Sequence, residues 1–347
     1  MITARYIQHN LQFYQTATTS RGSMQFKETW YLILESDGKI GIGECGLLRG
    51  LSYDDRPDYE SKLLWTCQNI HRGLAALYPE LQAFPSIQFG LEQAFLSLES
   101  EHPGLLFPSD FTRGTQGIPI NGLLWMAPPS EIESQFVQKI AADFRCVKMK
   151  VGANDLQAEL DLLRRFRAEL SPEQLEIRLD ANGAYTPENV GAVLEQFAPF
   201  GIHSIEQPIR AGQWEAMREV CATSPIPIAL DEELIGVFEK SQKQQLLATI
   251  APHYIILKPS FVGGFQGAAE WIDEAKQRGI GWWVTSALES NVGLNAIAQW
   301  TYTLQNPMPQ GLGTGALYAN NIQAPLEVAA TQLWYRLDTP WDWSMFK

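Results

Sequence analysis

Two lysines stand two residues apart in CVKMKVG, residues 146–152, within a run of Cys146, Val147, Met149 and Val151 that suits a strand buried on both faces. Side chains alternate along a strand, so Lys148 and Lys150 share one face. Further on, Asp180 sits in EIRLDANG, Glu206 in SIEQPI, Asp231 in PIALDEEL and Lys258 in YIILKPS, each closing a short apolar run. Singly, each has an ordinary explanation. An aspartate after a strand is usually a turn former or helix cap, and a lysine there usually reaches for solvent. Together they are three carboxylates on consecutive strands, flanked by amines. Carboxylates gathered in this way repel one another, and taking each out of water is costly, so the set calls for a divalent cation. All-oxygen donors favour a hard ion, Mg2+ first, with Mn2+ as a substitute.

The elements that must position these residues recur with a rhythm. Apolar runs begin at 118 (IPINGLL), 146, 176, 204, 227, 254, 282 (WWVTSAL) and 310 (QGLGTG), 23 to 30 residues apart. Amphipathic stretches such as QAELDLLRRFRAEL lie between them. Strands alternating with helices predict a parallel sheet, and eight units match a (β/α)8 barrel of about 250 residues; an open doubly wound sheet is the alternative. The first hundred residues differ. KETWYLILESDGKIGIGECG predicts a hairpin turning at Ser36-Asp37-Gly38, with helices near 58–77 and 86–101. We therefore expect an α+β segment over 1–115 and a barrel over 116–319, with 320–347 packing back on the first segment.

In such a barrel, function collects at the C-terminal strand ends. Strands two and six are four apart in a ring of eight, so Lys150 and Lys258 should face each other across the mouth, with the acids on the arc between. That geometry suits removal of a proton α to a carboxylate, because a dication and ammonium groups stabilise the resulting enediolate. The base must be a neutral lysine, whose reference pKa is about 10.4 and whose useful range is about 7 to 8. A neighbouring ammonium and a dication both push in that direction.

Composition narrows the classes. With 45% hydrophobic and 19% charged residues, the chain has a soluble globular make-up. A net charge of −13 argues against nucleic acid and anionic membranes as partners. The four cysteines show no CxxC spacing, which fits a reducing compartment. The five histidines show no HExxH pattern, which disfavours zinc. No run approaches the roughly 20 apolar residues of a membrane span, and MITARYIQHNLQFYQ lacks a signal-peptide core. A soluble, cytoplasmic protein acting on a small-molecule carboxylate is expected; oligomeric state is not legible. GIGECG at 41–46 satisfies GxGxxG but follows a hairpin instead of opening a helix, so nucleotide binding is not expected.

VKMKVG, RLDANGAY, SIEQPI, ALDEEL and ILKPS, in this order, resemble the enolase superfamily in its muconate-lactonizing branch. Longer strings, among them IPINGLLWM, SIEQPIRAGQWEAM, LKPSFVGGF and TSALESNVGLNAIAQW, resemble the o-succinylbenzoate synthase family within it. The resemblance implies an α/β fold, a modified TIM barrel of (β/α)7β type with an N-terminal α+β capping domain. It implies a Mg2+-dependent syn dehydration of 2-succinyl-6-hydroxy-2,4-cyclohexadiene-1-carboxylate in menaquinone biosynthesis. By that likeness Lys150 removes the α-proton and protonates the departing hydroxide, Lys258 stabilises the enediolate, and Lys148 assists electrostatically. Asp180, Glu206 and Asp231 would hold the metal, and Asn182 and Ser286 would contact substrate. Loops near 18–24 and 46–53 would form a lid. An N-acylamino acid racemase or dipeptide epimerase stays open, since two opposed lysines serve either reaction, although LKPS lacks the acid that dipeptide epimerases tend to carry. A non-catalytic barrel scaffold is the remote alternative.

Overall fold

The protein is described here by a computed structural model covering residues 2–19 and 22–347; of the expected lid, residues 20 and 21 lie outside the described residues. The chain opens with an antiparallel sheet of β1 (Thr3–Thr19), β2 (Gly22–Ser36) and β3 (Lys39–Gly46), in that order. The β2–β3 turn falls at Asp37 and Gly38, with φ of 51° and 77°. Two consecutive positive φ values are what a two-residue hairpin requires, so Asp-Gly sits where the sequence reading put it. The reading had not identified β1, whose register runs along most of β2.

Helices Tyr59–Gln68 and Pro85–Glu99 pack on this sheet. The helix expected to reach residue 77 stops at Gln68, and Gly73, at φ 78°, separates a short final turn. The glycines of GIGECG have a packing role. A Cβ placed on Gly43 would lie 1.9 Å from the Gly90 carbonyl oxygen, so only bare backbone lets Pro85–Glu99 approach β3 this closely. Trp30, Leu32, Leu34, Leu63, Ile87 and Leu91 fill the space between sheet and helices.

The second unit is a parallel sheet that curls around its own core. In chain order its strands are β5 (Gly122–Leu124), β6 (Cys146–Lys150), β7 (Glu176–Asp180), β8 (Ser204–Glu206), β9 (Ile228–Leu230), β10 (Tyr254–Leu257) and β11 (Gly281–Val284), each hydrogen-bonded to the next. Two expectations need correction. The predicted first strand is split: β4 (Ile118–Pro119) leaves the barrel to pair antiparallel with β13 (Gln332–Tyr335), itself paired with β12 (Leu326–Ala329). The predicted eighth strand is reduced to isolated bridges, Ile120 with Gln310 and Thr285 with Gly311. These still close the ring, through Asn121 N–H to Gln310 O at 3.0 Å and Gly311 N–H to Val284 O at 2.8 Å.

Two buried acids of the N-terminal unit reach across to the barrel. Glu44, on β3, accepts hydrogen bonds from Ser290 N–H at 2.9 Å, Ser290 Oγ–H at 2.5 Å and Gly293 N–H at 2.8 Å, at the start of helix Asn291–Thr303. Glu92 accepts from Phe265 N–H at 2.5 Å and Gln266 N–H at 3.0 Å, at the start of helix Gly264–Gln277. The first amides of a helix have no partner within it, and a carboxylate there also meets the favourable end of the helix dipole. The C-terminal segment returns to β1 and β2: Phe346 is buried with its ring 5.0 Å from Tyr31, and Arg5 Nη2 donates to its carbonyl at 2.5 Å. No helix among the described residues is long and apolar enough to cross a membrane.

Candidate active site

Strand register brings the sequence-selected residues to one end of the barrel. Lys150 pairs with Asp180 across β6 and β7, and Asp180 with Glu206 across β7 and β8. Glu206 in turn pairs with Ala229, so Asp231 lies two residues further along instead of level with the other two acids. An even offset preserves the face, and all three carboxylates point inward and are buried. Lys258 follows β10, on the far side of the ring from β6.

The charged groups interlock. Lys148 Nζ lies 2.9 Å from Asp180 Oδ2 and 2.8 Å from Glu206 Oε2. Lys150 Nζ lies 2.6 Å from both Asp180 Oδ2 and Asn182 Oδ1. Lys258 Nζ is paired with Asp231 Oδ2. Burial works against each charge, and the partners decide the outcome. Burial raises the Asp180 carboxyl, but Lys148 and Lys150 outweigh it and hold it below the ordinary range. Burial lowers the Lys148 and Lys258 amines, but the surrounding carboxylates outweigh it and hold both above theirs. Glu206 goes the other way: burial and the Asp180 charge push it well above the usual carboxylate value, despite Lys148.

Whether these residues suit a divalent ion can be judged from their own atoms. Among the described residues no three acidic, histidine or cysteine side chains form a ready-made cage; the three acids are spaced by Lys148 and Lys258. Yet Glu206 Oε1 is buried and accepts no hydrogen bond from any described residue, and its carboxyl is destabilised as an anion by both neighbouring acids. A buried acceptor with no donor is costly, and a cation shared by the three acids would satisfy it. The donor set is all oxygen, as Mg2+ prefers. The residues fit the ion.

Asn182 joins the charged cluster to open space. It holds φ 45°, its Oδ1 accepts from Lys150, and its Nδ2 donates to Glu232 Oε1 at 3.0 Å. It also lines a cavity of about 810 Å3, together with Leu51, Gln207, Arg210, Glu232 and Ile235. Ser286 is not part of that lining; its hydroxyl lies 2.6 Å from Thr314 Oγ1, at the seam where the ring closes. Sequence reasoning missed Gln207. This buried residue, at φ 40°, accepts from Asp231 N–H at 3.2 Å and Glu233 N–H at 3.1 Å, and donates to Glu233 Oε2 at 3.0 Å. It ties the end of β8 to the end of β9, and so sets Asp231 relative to Glu206. Its signal was its place directly after Glu206, with a proline two residues beyond the acid.

Known proteins share this arrangement of elements. The family described as Enolase C-terminal domain-like matches residues 131–333, more than half of the chain. An o-succinylbenzoate synthase from Desulfotalea psychrophila is 44% identical over 354 residues, covering 93% of this chain and 96% of that protein. The crystal structure of MenC from the same organism superposes with a TM-score of 0.86 at 41% identity, covering 96% of this chain and 99% of that one. A dipeptide epimerase from Enterococcus faecalis, complexed with Mg and the dipeptide L-Leu-L-Tyr, superposes at 0.83 with 17% identity over 97% of this chain and 98% of that one, a likeness of fold alone. With its modified TIM barrel, its α+β cap and its match over 131–333, this chain belongs to the enolase C-terminal domain-like family.

Proposed function

We propose that this chain is an o-succinylbenzoate synthase, a soluble, cytoplasmic lyase of menaquinone biosynthesis that converts 2-succinyl-6-hydroxy-2,4-cyclohexadiene-1-carboxylate to 2-succinylbenzoate and water. The observation that carries this reading is the 44% identity to the Desulfotalea psychrophila enzyme over 93% of the chain. In this reading Asp180, Glu206 and Asp231 hold Mg2+, which when bound supplies a Lewis acid that draws charge from the substrate carboxylate.

The chain's own residues do the rest. Lys150, placed by β6 and steadied by Asn182, takes the proton α to the ring carboxylate; the C–H electron pair passes into an enediolate. That pair then forms the new ring double bond as the C–O bond breaks, and Lys150 returns its proton to the departing hydroxide. One lysine serving both steps from one side accounts for a syn course. Lys258, from across the ring, and Lys148 lie among carboxylates that favour their ammonium forms, and they serve to stabilise the developing negative charge. The three acids are buried and the three lysine side chains only 13–18% exposed, so water screens little.

The test is direct. Supplied with the cyclohexadiene carboxylate and Mg2+, the protein should yield aromatic product, followed by ultraviolet absorbance. Lys150→Ala should lose at least about 10³-fold in kcat with unchanged circular dichroism, on the scale of removing a general base. N-succinyl amino acids run in parallel separate the sister activity: racemisation without dehydration would defeat the synthase reading.

A further inference from the structure

The proposed substrate is a dianion, and the metal and lysines account for only its ring carboxylate. The second carboxylate, at the end of the succinyl chain, has no partner among them, and a guanidinium is the group suited to capture it. We infer that Arg210 is that partner and that it anchors the succinyl carboxylate; the inference rests on the synthase reading above.

Three observations carry it. The cavity beside Asn182, at about 810 Å3, is of the size that encloses a small ligand, and Arg210 is the one cationic side chain among its described lining residues. Arg210 is also exceptional as an arginine. Every other described arginine is committed to a carboxylate, or in the case of Arg167 to backbone carbonyls. The Arg210 side chain makes neither an ion pair nor a hydrogen bond with any described residue, and it is exposed. A guanidinium fork kept free on a cavity wall is suited to bidentate capture of a carboxylate.

Its backbone, by contrast, is well fixed. Ile209 bridges in parallel to Tyr185, Gly183 N–H donates to Gln207 O at 2.7 Å, and the Arg210 carbonyl accepts from Gln213 Nε2 at 3.0 Å. A Cβ on Gly183, at φ 74°, would lie 3.0 Å from the Arg210 Cα, so that glycine lets Arg210 sit close beside the loop that carries Asn182. The anchor therefore stands on the same braced strand ends as the catalytic cluster, which fixes the distance between the two carboxylate sites.

The experiment compares two ligands on the Mg2+-loaded protein by calorimetry: 2-succinylbenzoate, and 2-butanoylbenzoate, which ends in a methyl group where the first has its distal carboxylate. Wild type should bind the succinyl compound at least about tenfold tighter, and Arg210→Met should cut that preference below about threefold, with Arg210→Lys between. In turnover, Arg210→Met should raise KM about 10- to 100-fold with a much smaller change in kcat, the pattern of lost uniform binding. An Arg210→Met protein that keeps the wild-type preference overturns the inference, as does a wild type that has none. The parent reading fails separately, if wild type does not dehydrate the diene acid; the binding comparison needs no turnover and still decides the role of Arg210.

Discussion

At the scale of single residues, the groups with the most chemistry were the most legible. Lys148, Lys150, Asp180, Glu206, Asp231 and Lys258 each end an apolar run, and the period of two along a strand sends like-placed side chains to one face. What the sequence hid was how they are held. Gln207 and Asn182 act from left-handed backbone, at φ 40° and 45°, and a non-glycine residue in that region is set by its surroundings instead of by its own preference. Gln207 is therefore the residue to perturb. Gln207→Leu removes the acceptor for the Asp231 and Glu233 amides while leaving all three acids in place. Groups that orient ligands typically matter 10- to 100-fold in metal affinity, so Mg2+ titrated calorimetrically should bind about tenfold or more weakly. Unchanged affinity would remove Gln207 from the positioning of the site.

At the scale of elements, the hairpin at Asp37–Gly38 and the β6–β10 strands followed from the sequence, because turn chemistry and apolar runs are local signals. The eighth barrel position did not. In QGLGTG the chain must pass very near Thr285: a Cβ on Gly311 would lie 2.2 Å from Thr285 Oγ1, so close approach selects the glycine. The same demand explains GIGECG, and it predicts that Gly43→Ala, which sets a methyl group against the Gly90 carbonyl, costs about 1–3 kcal/mol. Chemical denaturation would read this as a lower midpoint at unchanged slope.

A pH dependence belongs to the same contact layer. Burial pushes the Glu92 carboxyl up from 4.5 to about 7, against the pull of the Gln266 and Phe265 amides. Its folded value exceeds its unfolded one, so the folded protein holds more protons between the two. The stability this group contributes is full below about pH 4.5 and is lost as pH rises through about 7, a decline of roughly 3 kcal/mol. Urea unfolding at pH 5 and pH 8 should show this loss in wild type and a smaller one in Glu92→Gln. Parallel declines in the two proteins would place the pH dependence elsewhere.

At the scale of the whole molecule, the barrel and its cap were legible from the rhythm of strands and the contrasting first segment, whereas β1 was not, since Leu11 is the one buried side chain among its described ones and no apolar run marks it. Burial and the Asp180 charge destabilise Glu206 as an anion, and an ion that binds only the folded form should relieve it. At a hundredfold excess over Kd the gain is roughly 2.7 kcal/mol, so Mg2+ should raise the melting temperature of wild type. It should do little for Glu206→Gln, whose side chain no longer carries the charge. A shift of equal size in both would point to a metal site elsewhere.

The carboxylates that Glu44 and Glu92 extend across the boundary have a consequence for ancestry. Each finishes a helix that the barrel begins but does not complete, so four backbone amides, those of Ser290, Gly293, Phe265 and Gln266, find their acceptors in the other half of the chain. A recombination event that joined this barrel to a foreign front piece without acids at both places would leave those amides unanswered in a dry seam. The two halves are thus bound to be inherited as a matched pair.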